Sequence, residues 1–320
     1  MASIINELKN KIKGKELKIV FPESNDERIL EAAIRLEDEG LIKPILIGNK
    51  DNVPTKYDVS DCVFIDPYNN DIFEDMVASF VDRRKGKNTE EQARTMLLDE
   101  NYFGTMLVYM GMADGLVSGA CHSTGETVRP ALQIIKTKPG VTKTFGYFLM
   151  VRDNQKFIFG DCAINPNPSA QDLAEFAIES AKAAEMFGII PKVAMLSFST
   201  NGSAKTDETE KVLEATRLAR AANSGYPIDG EMQFDAAFVP SVGAKKYPKS
   251  EVAGQANTFI FPDLNSGNIG YKIAQRLGNF EAMGPILAGL NNPVNDLSRG
   301  CDSEDAYNTA IITAAQALIK

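Results

Sequence analysis

The sequence predicts an α/β fold, in which mainly parallel β-sheets are covered by helices. Apolar runs of strand length alternate with amphipathic helical stretches along nearly the whole chain. LKIVF (17–21) followed by SNDERILEAAIRLEDEG (24–40) is one such pair, and KVAMLSFS (192–199) followed by DETEKVLEATRLARAA (207–222) is another. This alternation is typical of parallel strands joined by helices. A chain of 320 residues is long enough for two such domains.

In the first half of the chain, the helix over 24–40 has the clearest boundaries. Asn25 or Asp26 can cap its start and Gly40 can end it. The elements that follow it are predicted in this order: strands over 43–48 and 62–66, helices over 70–86 and 89–112, a strand over 114–120, and a helix over 127–137.

The second half begins with a predicted hairpin, because two apolar runs, 144–151 and 156–161, flank the polar turn RDNQ. A capped helix over 168–189 comes next, and further strands are predicted over 192–199, 234–239, 257–261 and 284–289. The Pro/Gly-rich stretch KPGVTK (138–143) before the hairpin predicts the domain boundary. The last strand and helix, about 284–320, fit either domain on pattern alone.

Composition narrows the class of protein. A net charge of −9 and a pI near 4.9 argue against a nucleic-acid-binding protein. The N-terminus has no apolar signal region and no segment reaches the ~18 apolar residues of a membrane span, which predicts a cytoplasmic protein without membrane association. The four cysteines form no CxxC pair, so they predict reduced thiols and neither disulfides nor a zinc site.

The stretch SGACHSTGETVRPALQ (118–133) follows a predicted strand and enters a helix. Such a turn can present backbone N–H groups and hydroxyls, here from Ser123 and Thr124, to an anion. An ordinary helix cap, with Glu126 and Arg129 as a solvated pair, explains the pattern equally well. His122 is the only histidine and a candidate general base, although a structural role is the commoner one.

Other loops carry basic or small polar residues. VDRRKGKNT (81–89) is the densest basic cluster and would suit a phosphate, although cations also stabilise a helix end. A Gly/Ser-rich loop occupies 198–208, and PDLNSGNIGYKIAQRL (262–277) places small polar residues before a helix that carries Lys272, a candidate substrate-binding residue. The chain contains neither GxxxxGK[ST] nor GxGxxG.

The stretch PVNDLSRGCDSEDA (293–306) follows the predicted strand GPILAG and therefore stands at the carboxyl edge of a sheet. Arg299 offers a planar guanidinium to a phosphate, and Ser298 offers a hydroxyl beside it. Acidic residues at the start of the last helix are also explained by the helix dipole. From these residues alone, a capped turn and a site are equally good interpretations.

Taken together, these loops resemble the phosphate acetyltransferase (phosphotransacetylase) family over nearly the whole chain. The resemblance is carried by FPESNDERILEAA, SGACHSTGETVRPALQIIKTKPG, FGDCAINPNPSAQDLAEFAIESA, SFSTNGSAK, GEMQFDAAFVP, ANTFIFPDLNSGNIGYKIAQRLG and GPILAGLNNPVNDLSRGC. It implies two α/β domains like those of the isocitrate/isopropylmalate dehydrogenases, with the active site in the cleft between them. Domain I would comprise 1–140 plus 285–320 and domain II 141–284, in a homodimer.

The resemblance also implies an activity and its residues. Acetyl-CoA and phosphate would give acetyl phosphate and coenzyme A, without a bound cofactor or metal. The NDLSRG motif and the aspartate after it place the catalytic roles on Ser298, Arg299 and Asp305. Substrate binding falls on Arg84, with Arg83 as its neighbouring alternative, and on Arg129.

The chemistry of these side chains fits acetyl transfer. Because the thiolate is the effective nucleophile, Asp305 would take the thiol proton. Ser298 and backbone N–H groups would stabilise the oxyanion, while Arg129 and Arg299 would hold the phosphate. If both substrates are bound together, direct transfer needs no acyl-enzyme.

Four alternatives stay open. The same machinery could transfer butyryl groups, the fold could serve a metal-dependent 2-hydroxyacid dehydrogenase, or the chain could sense coenzyme A without turnover. A covalent route through Cys121, Cys162 or Cys301 is the fourth, although the sequence places no base beside these residues.

Overall fold

The fold consists of two compact units, described by a computed structural model that covers residues 2–222 and 225–319. The first unit comprises Met1–Lys138 and Leu290–Lys320, and the second unit comprises Pro139–Gly289. Each unit contains a β-sheet with helices packed on it, as the strand and helix pattern predicts.

The helices and strands alternate through most of the chain. The helices are α1 (Ala2–Ile12), α2 (Glu27–Asp38), α3 (Phe73–Arg84), α4 (Glu90–Met96), α5 (Glu100–Tyr109), α6 (Thr124–Pro130), α7 (Ala170–Met186), α8 (Asp207–Ala221), α9 (Phe234–Phe238), α10 (Pro240–Lys246), α11 (Leu264–Arg276) and α12 (Ser303–Ala317). The strands are β1 (Lys18–Phe21), β2 (Lys43–Ile47), β3 (Val63–Ile65), β4 (Gly115–Ser118), β5 (Phe145–Arg152), β6 (Gln155–Gly160), β7 (Val193–Leu196), β8 (Ile228–Met232), β9 (Thr258–Ile260), β10 (Glu281–Ala288) and β11 (Val294–Asp296).

The first unit is built on a five-stranded sheet in the order β11-β4-β1-β2-β3, with parallel pairing throughout. Its helices pack in two groups: α12 contacts α1 and α2, whereas α5 contacts α6 and the short π-helical turn over 131–135. The cap predicted for α2 is confirmed at Asp26, whose side chain accepts the backbone N–H of Arg28 at 2.9 Å. Gly40 follows this helix with φ of 63°, a conformation that favours glycine.

The second unit is built on a six-stranded mixed sheet in the order β10-β5-β6-β9-β7-β8. Strands β5 and β6 form the predicted hairpin, and β10 extends it on the other side in antiparallel pairing. The pairs β6–β9, β9–β7 and β7–β8 are parallel. Phenylalanine rings fill the space beside this sheet and line a cavity of about 520 Å³.

The strand predicted over 234–239 is wrong, because this segment forms α9. Ala236 and Ala237 are buried side by side, a pattern that a half-buried strand does not show. Phe234 and Phe238 lie one helical turn apart with their ring centroids at 5.7 Å. The apolar content of FDAAFV therefore reflects a helix face, and strand β8 precedes it.

The interpretation of GPILAG as the strand that leads into 293–306 is also wrong. These residues belong to β10, which pairs antiparallel with β5 in the second unit and has a register shift between Met283 and Ile286, where Pro285 has no N–H to donate. The predicted domain boundary at residue 285 falls within this strand, whereas the compact units divide after Lys138 and after Gly289. The strand that leads into the segment is β11, inside the quoted stretch itself.

No helix of the described residues is long and apolar enough to cross a bilayer.

Candidate active site

Three loops meet at the carboxyl edge of the sheet of the first unit. Strands β1, β4 and β11 are neighbours and parallel, so the loops that follow them leave from the same edge. We call them the β1 loop (22–26), the β4 loop (119–124) and the β11 loop (297–302). This edge is where ligands bind in parallel α/β sheets, and the loops contain Ser123, Thr124, Ser298 and Arg299.

Glu23 of the β1 loop holds the β4 loop in place. Its side chain is only 2 % exposed. One carboxylate oxygen accepts the backbone N–H groups of Gly119 and Ala120 at 3.0 and 2.9 Å, and the other accepts those of Cys121 and His122 at 2.7 and 2.9 Å. The ring nitrogen Nδ1 of His122 lies 2.8 Å from the second oxygen. A single buried side chain therefore satisfies four consecutive N–H groups.

These contacts correct the prediction that the β4 loop presents its backbone N–H groups to an anion. The N–H groups of 119–122 already donate to Glu23. The N–H and hydroxyl of Ser123 both donate to Glu126, at 2.7 Å each. Glu126 therefore caps α6, as the alternative interpretation of this stretch has it. Ser123 and Thr124 are exposed residues, but the Ser123 hydroxyl already donates to Glu126, and the role of both residues in substrate binding stays a prediction.

Arg28 connects all three loops. Its guanidinium donates to the carbonyl oxygens of Ala120, Arg299 and Cys301, each at 2.9 Å. It also forms an ion pair with Asp26, with Nη2 and Oδ2 at 2.7 Å. The hydrogen bond and charge of Arg28 outweigh the effect of burial and lower the pKa of Asp26 to about 2. The β4 and β11 loops are thus held by one cation through their main-chain oxygens.

The β11 loop exposes the two residues predicted to act on the substrate. The hydroxyl of Ser298 accepts the backbone N–H of Gly300 at 3.2 Å, and Ser298, Arg299 and Gly300 are all exposed. Within the described ranges the guanidinium of Arg299 has no hydrogen-bond or ion-pair partner, although its carbonyl is fixed by Arg28. A fixed backbone with a free guanidinium is an arrangement suited to a bound anion.

Asp305 lies in the first turn of α12 and takes part in its cap. The side chain of Asp302 accepts the N–H of Asp305 at 2.8 Å, and the side chain of Asp305 accepts the N–H of Asp302 at 3.2 Å. The cap fixes the Asp305 side chain and leaves this residue exposed. The segment 293–306 therefore contains a capped turn, as one of the two interpretations has it, and its catalytic role stays a prediction.

Asp296, the last residue of β11, was missed by the sequence interpretation. The residue is 4 % exposed, and its Oδ1 has no hydrogen-bond partner among the described residues. Burial, reinforced by the charge of Glu23, raises the pKa of Asp296 to about 6, although the hydroxyls of Thr124 and Thr127 oppose the shift. Keeping this carboxyl charged at neutral pH therefore costs stability.

We expect Asp296→Asn to stabilise the fold at pH 8 but not at pH 4. Because the pKa is raised on folding, the folded state keeps its proton while the unfolded chain loses it, so stability falls as pH rises from about 4 to about 6. The amide avoids this loss, with a gain of at most about 2–3 kcal/mol above pH 6. Urea unfolding of both proteins at pH 4 and pH 8 measures the difference in their free energies of unfolding. An equal gain at the two pH values would contradict the raised pKa of Asp296.

The basic cluster at the end of α3 separates into two arginines with different tasks. Arg83 donates to the carbonyl oxygens of Ile134 and Ile135 at 2.6 and 2.9 Å and lies over the ring of Tyr109. Arg84 donates only its Nε, to Asn88 at 2.9 Å, so its two terminal nitrogens have no partner in the part of the chain that the structure describes. Arg84 is therefore the better candidate for substrate binding.

Arg129 belongs to the same neighbourhood as Arg84. Burial raises the pKa of the Tyr102 phenol, and the positive charges of Arg129 and Arg84 both oppose that shift. Arg129 is exposed on α6. Lys272 lies on α11 in the second unit, with its ammonium 5.0 Å from the ring centroid of Tyr271, and its predicted role in substrate binding stays a prediction.

Comparison with known proteins identifies the family of this chain. The family model for phosphate acetyl/butaryl transferases matches residues 3–314. A phosphate acetyltransferase from Bacillus subtilis is 62 % identical over 323 residues, covering 99 % of this chain and 100 % of that protein. The chain belongs to the phosphate acetyl/butaryl transferase family.

Solved structures agree with this membership. A phosphotransacetylase from Streptococcus pyogenes is 58 % identical with a TM-score of 0.98, covering 100 % of this chain and 99 % of that one. A phosphotransacetylase from Staphylococcus aureus is 57 % identical with a TM-score of 0.94, covering 99 % and 98 %. The two-domain α/β fold of this transferase family is thus confirmed for the chain.

The cysteines of this family member are poor candidates for an acetyl carrier. Burial raises the pKa of Cys301 to about 11, which Arg28 only partly opposes. Burial and the hydrogen bond to Asp26 raise the pKa of Cys121 to about 11, and burial raises that of Cys162 well above its usual range. A thiol needs its thiolate form to attack an acetyl group, so these shifts disfavour a covalent route.

Within 2–222 and 225–319, no group of three or more His, Cys, Asp or Glu side chains is placed to hold a metal ion.

Glu23 and Arg28 were also missed by the sequence interpretation. In the sequence, Glu23 is part of the motif FPESNDERILEAA, and Arg28 is one residue of the helix predicted over 24–40. The available signal was that each follows the first strand of a parallel sheet, at the edge where functional residues gather.

Proposed function

We propose that this chain transfers an acetyl group reversibly between acetyl-CoA and inorganic phosphate, giving acetyl phosphate and coenzyme A. The observation that carries this proposal is the exposed guanidinium of Arg299, which has no partner among the described residues. It lies on a loop whose main chain is fixed by hydrogen bonds from Arg28. The high identity to phosphate acetyltransferases over the whole chain supports acetyl as the group transferred. The planar guanidinium of an arginine on a fixed main chain can bind a phosphate through paired charge-assisted hydrogen bonds.

In this mechanism both substrates are bound together and transfer is direct. Arg299 and Arg129 bind the phosphate oxygens, while Ser298 donates to the oxyanion of the tetrahedral intermediate. Asp305, fixed by its cap with Asp302, exchanges a proton with the thiol of coenzyme A. Arg84 binds the anionic part of a substrate. We further propose a homodimer in the cytoplasm that needs no cofactor besides coenzyme A as a substrate.

The function is tested by phosphate-dependent release of coenzyme A from acetyl-CoA, followed with a thiol reagent. We expect turnover with acetyl-CoA to exceed that with butyryl-CoA at equal phosphate. Faster turnover with butyryl-CoA would favour the other branch of the family. Reduction of NAD(P) with a 2-hydroxyacid, or binding of coenzyme A without any turnover, would overturn the proposal.

Arg84→Ala should raise the KM of a substrate by about 10- to 100-fold, because a charge-assisted hydrogen bond is lost. The matched control is Arg83→Ala, which removes two bonds to carbonyl oxygens and should lower thermal stability with a smaller change in KM. Steady-state kinetics and thermal melts of both variants separate the two roles. A larger KM effect from Arg83→Ala would reverse the assignment.

A further inference from the structure

Acetyl transfer to phosphate requires two proton movements, and the residues named above account for one. When hydrogen phosphate attacks acetyl-CoA, the departing sulfur gains a proton and the attacking phosphate loses one. Asp305 serves the sulfur in the proposed mechanism. The phosphate proton has no assigned acceptor, and a search for one begins with side chains at the same sheet edge.

His122 lies at this edge, in the β4 loop directly before Ser123 and Thr124. Its side chain is 25 % exposed, while that of its partner Glu23 is 2 % exposed. The backbone N–H of His122 donates to the same carboxylate oxygen that faces its ring. Main chain and ring are therefore both fixed by Glu23, so the imidazole is held in one orientation.

The contact with Glu23 also decides which ring nitrogen is free. Both oxygens of Glu23 act as acceptors, since together they receive four backbone N–H groups. The ring nitrogen that faces them, Nδ1, is therefore assigned as a donor. Nε2 is then the acceptor nitrogen of the neutral ring. A carboxylate that orients an imidazole in this way prepares the far nitrogen for proton transfer.

Three acidic side chains interact with His122. Glu23 contacts it from the β1 loop, Glu100 interacts with it from α5, and Glu126 interacts with it from α6. Burial raises the pKa of Glu100. The acidic partners of His122 thus come from three separate elements, the β1 loop, α5 and α6.

The β4 loop is also joined to the loop that carries Arg299. The carbonyl of Ala120, two residues before His122, shares the guanidinium of Arg28 with the carbonyl of Arg299. His122 and Arg299, the residue proposed to bind phosphate, therefore lie on loops that are both held by Arg28.

We propose that His122, oriented by Glu23, is the proton acceptor for the attacking phosphate, an inference that rests on the proposed function. In the direction of acetyl phosphate synthesis, a phosphate oxygen forms the new bond to the acetyl carbon and the C–S bond breaks, with its electron pair leaving on sulfur. The phosphate O–H proton passes to Nε2 of His122, and Asp305 supplies a proton to the sulfur. In the reverse direction His122 returns the proton to the departing phosphate.

His122→Asn is the decisive variant. Its amide nitrogen takes the place of Nδ1, so the hydrogen bond to Glu23 is kept while the acceptor Nε2 is lost. We expect kcat to fall about 10²- to 10³-fold, KM for phosphate to stay within about threefold, and the acid limb of the pH profile of kcat/KM to disappear. Added imidazole should restore part of the rate. A variant with wild-type kcat and an unchanged pH profile would overturn the proposal.

A second measurement uses the unchanged chain, in case the variant does not fold. Because the chain has one histidine, diethyl pyrocarbonate on a tag-free preparation should modify one imidazole per chain, followed at 240 nm. We expect activity to fall in step with that signal, phosphate to protect, and hydroxylamine to restore the rate. Full activity after complete modification would refute the role of His122. If the untreated chain itself shows no phosphate-dependent release of coenzyme A, the proposed function fails first.

Discussion

Arg299→Ala is expected to lower kcat/KM by about 10²- to 10³-fold while leaving thermal stability unchanged. A fall in kcat/KM of this size is typical when a hydrogen-bond donor that stabilises developing charge in the transition state is lost. Stability should not change because, in the described part of the chain, no residue bonds to the Arg299 guanidinium and the loop is fixed through its carbonyl. Steady-state rates with acetyl phosphate and coenzyme A, together with thermal melts, measure both quantities.

Two controls sharpen this prediction. Arg217→Ala removes an exposed guanidinium of α8 that is paired with Glu214, so both turnover and stability should change little. Arg299→Lys keeps the charge but loses the planar guanidinium, so its kcat/KM should lie between those of Arg299→Ala and the wild type. Wild-type rates for Arg299→Ala, or a fall accompanied by an equally large loss of stability, would remove Arg299 from the site.

Asp305→Asn should reduce turnover by about 10²-fold or more with little loss of stability. The amide oxygen can still accept the N–H of Asp302, so the cap of α12 is kept, but the side chain can no longer exchange a proton with a thiol. Single-turnover measurements at saturating substrates test this, since they report the chemical step rather than product release.

Asp302→Asn is the matched control for Asp305→Asn. It removes one negative charge from the same helical turn, and asparagine caps helices as well as aspartate does. We therefore expect turnover within about threefold of wild type. Equal losses in both variants would indicate that the charge of the turn matters and that Asp305 has no particular role.

The fold was predictable wherever periodicity and length agreed. The helix over 24–40 and the hairpin over 144–161 follow from local pattern, and the structure places α2 and the β5–β6 pair there. GPILAG could not be placed in this way, because an apolar run of strand length does not say which sheet it joins. Its partner β5 is distant in sequence, and that pairing decided its place.

The site was predictable as a set of loops but not as a network. Arg299 and Ser298 are recognisable from their motif, whereas Glu23 acts on residues 96 to 99 positions further along the chain. The interaction of Arg28 with the β11 loop spans 271 positions or more. No local pattern encodes such contacts, because they depend on which strands become neighbours in the sheet.

The way Arg28 holds its three loops has a consequence for protein engineering. It recognises carbonyl oxygens of Ala120, Arg299 and Cys301, which every amino acid supplies. Side chains at positions 120 and 301 can thus be exchanged, within the space around them, without removing the anchor. A library that varies these positions should therefore keep Arg28 constant.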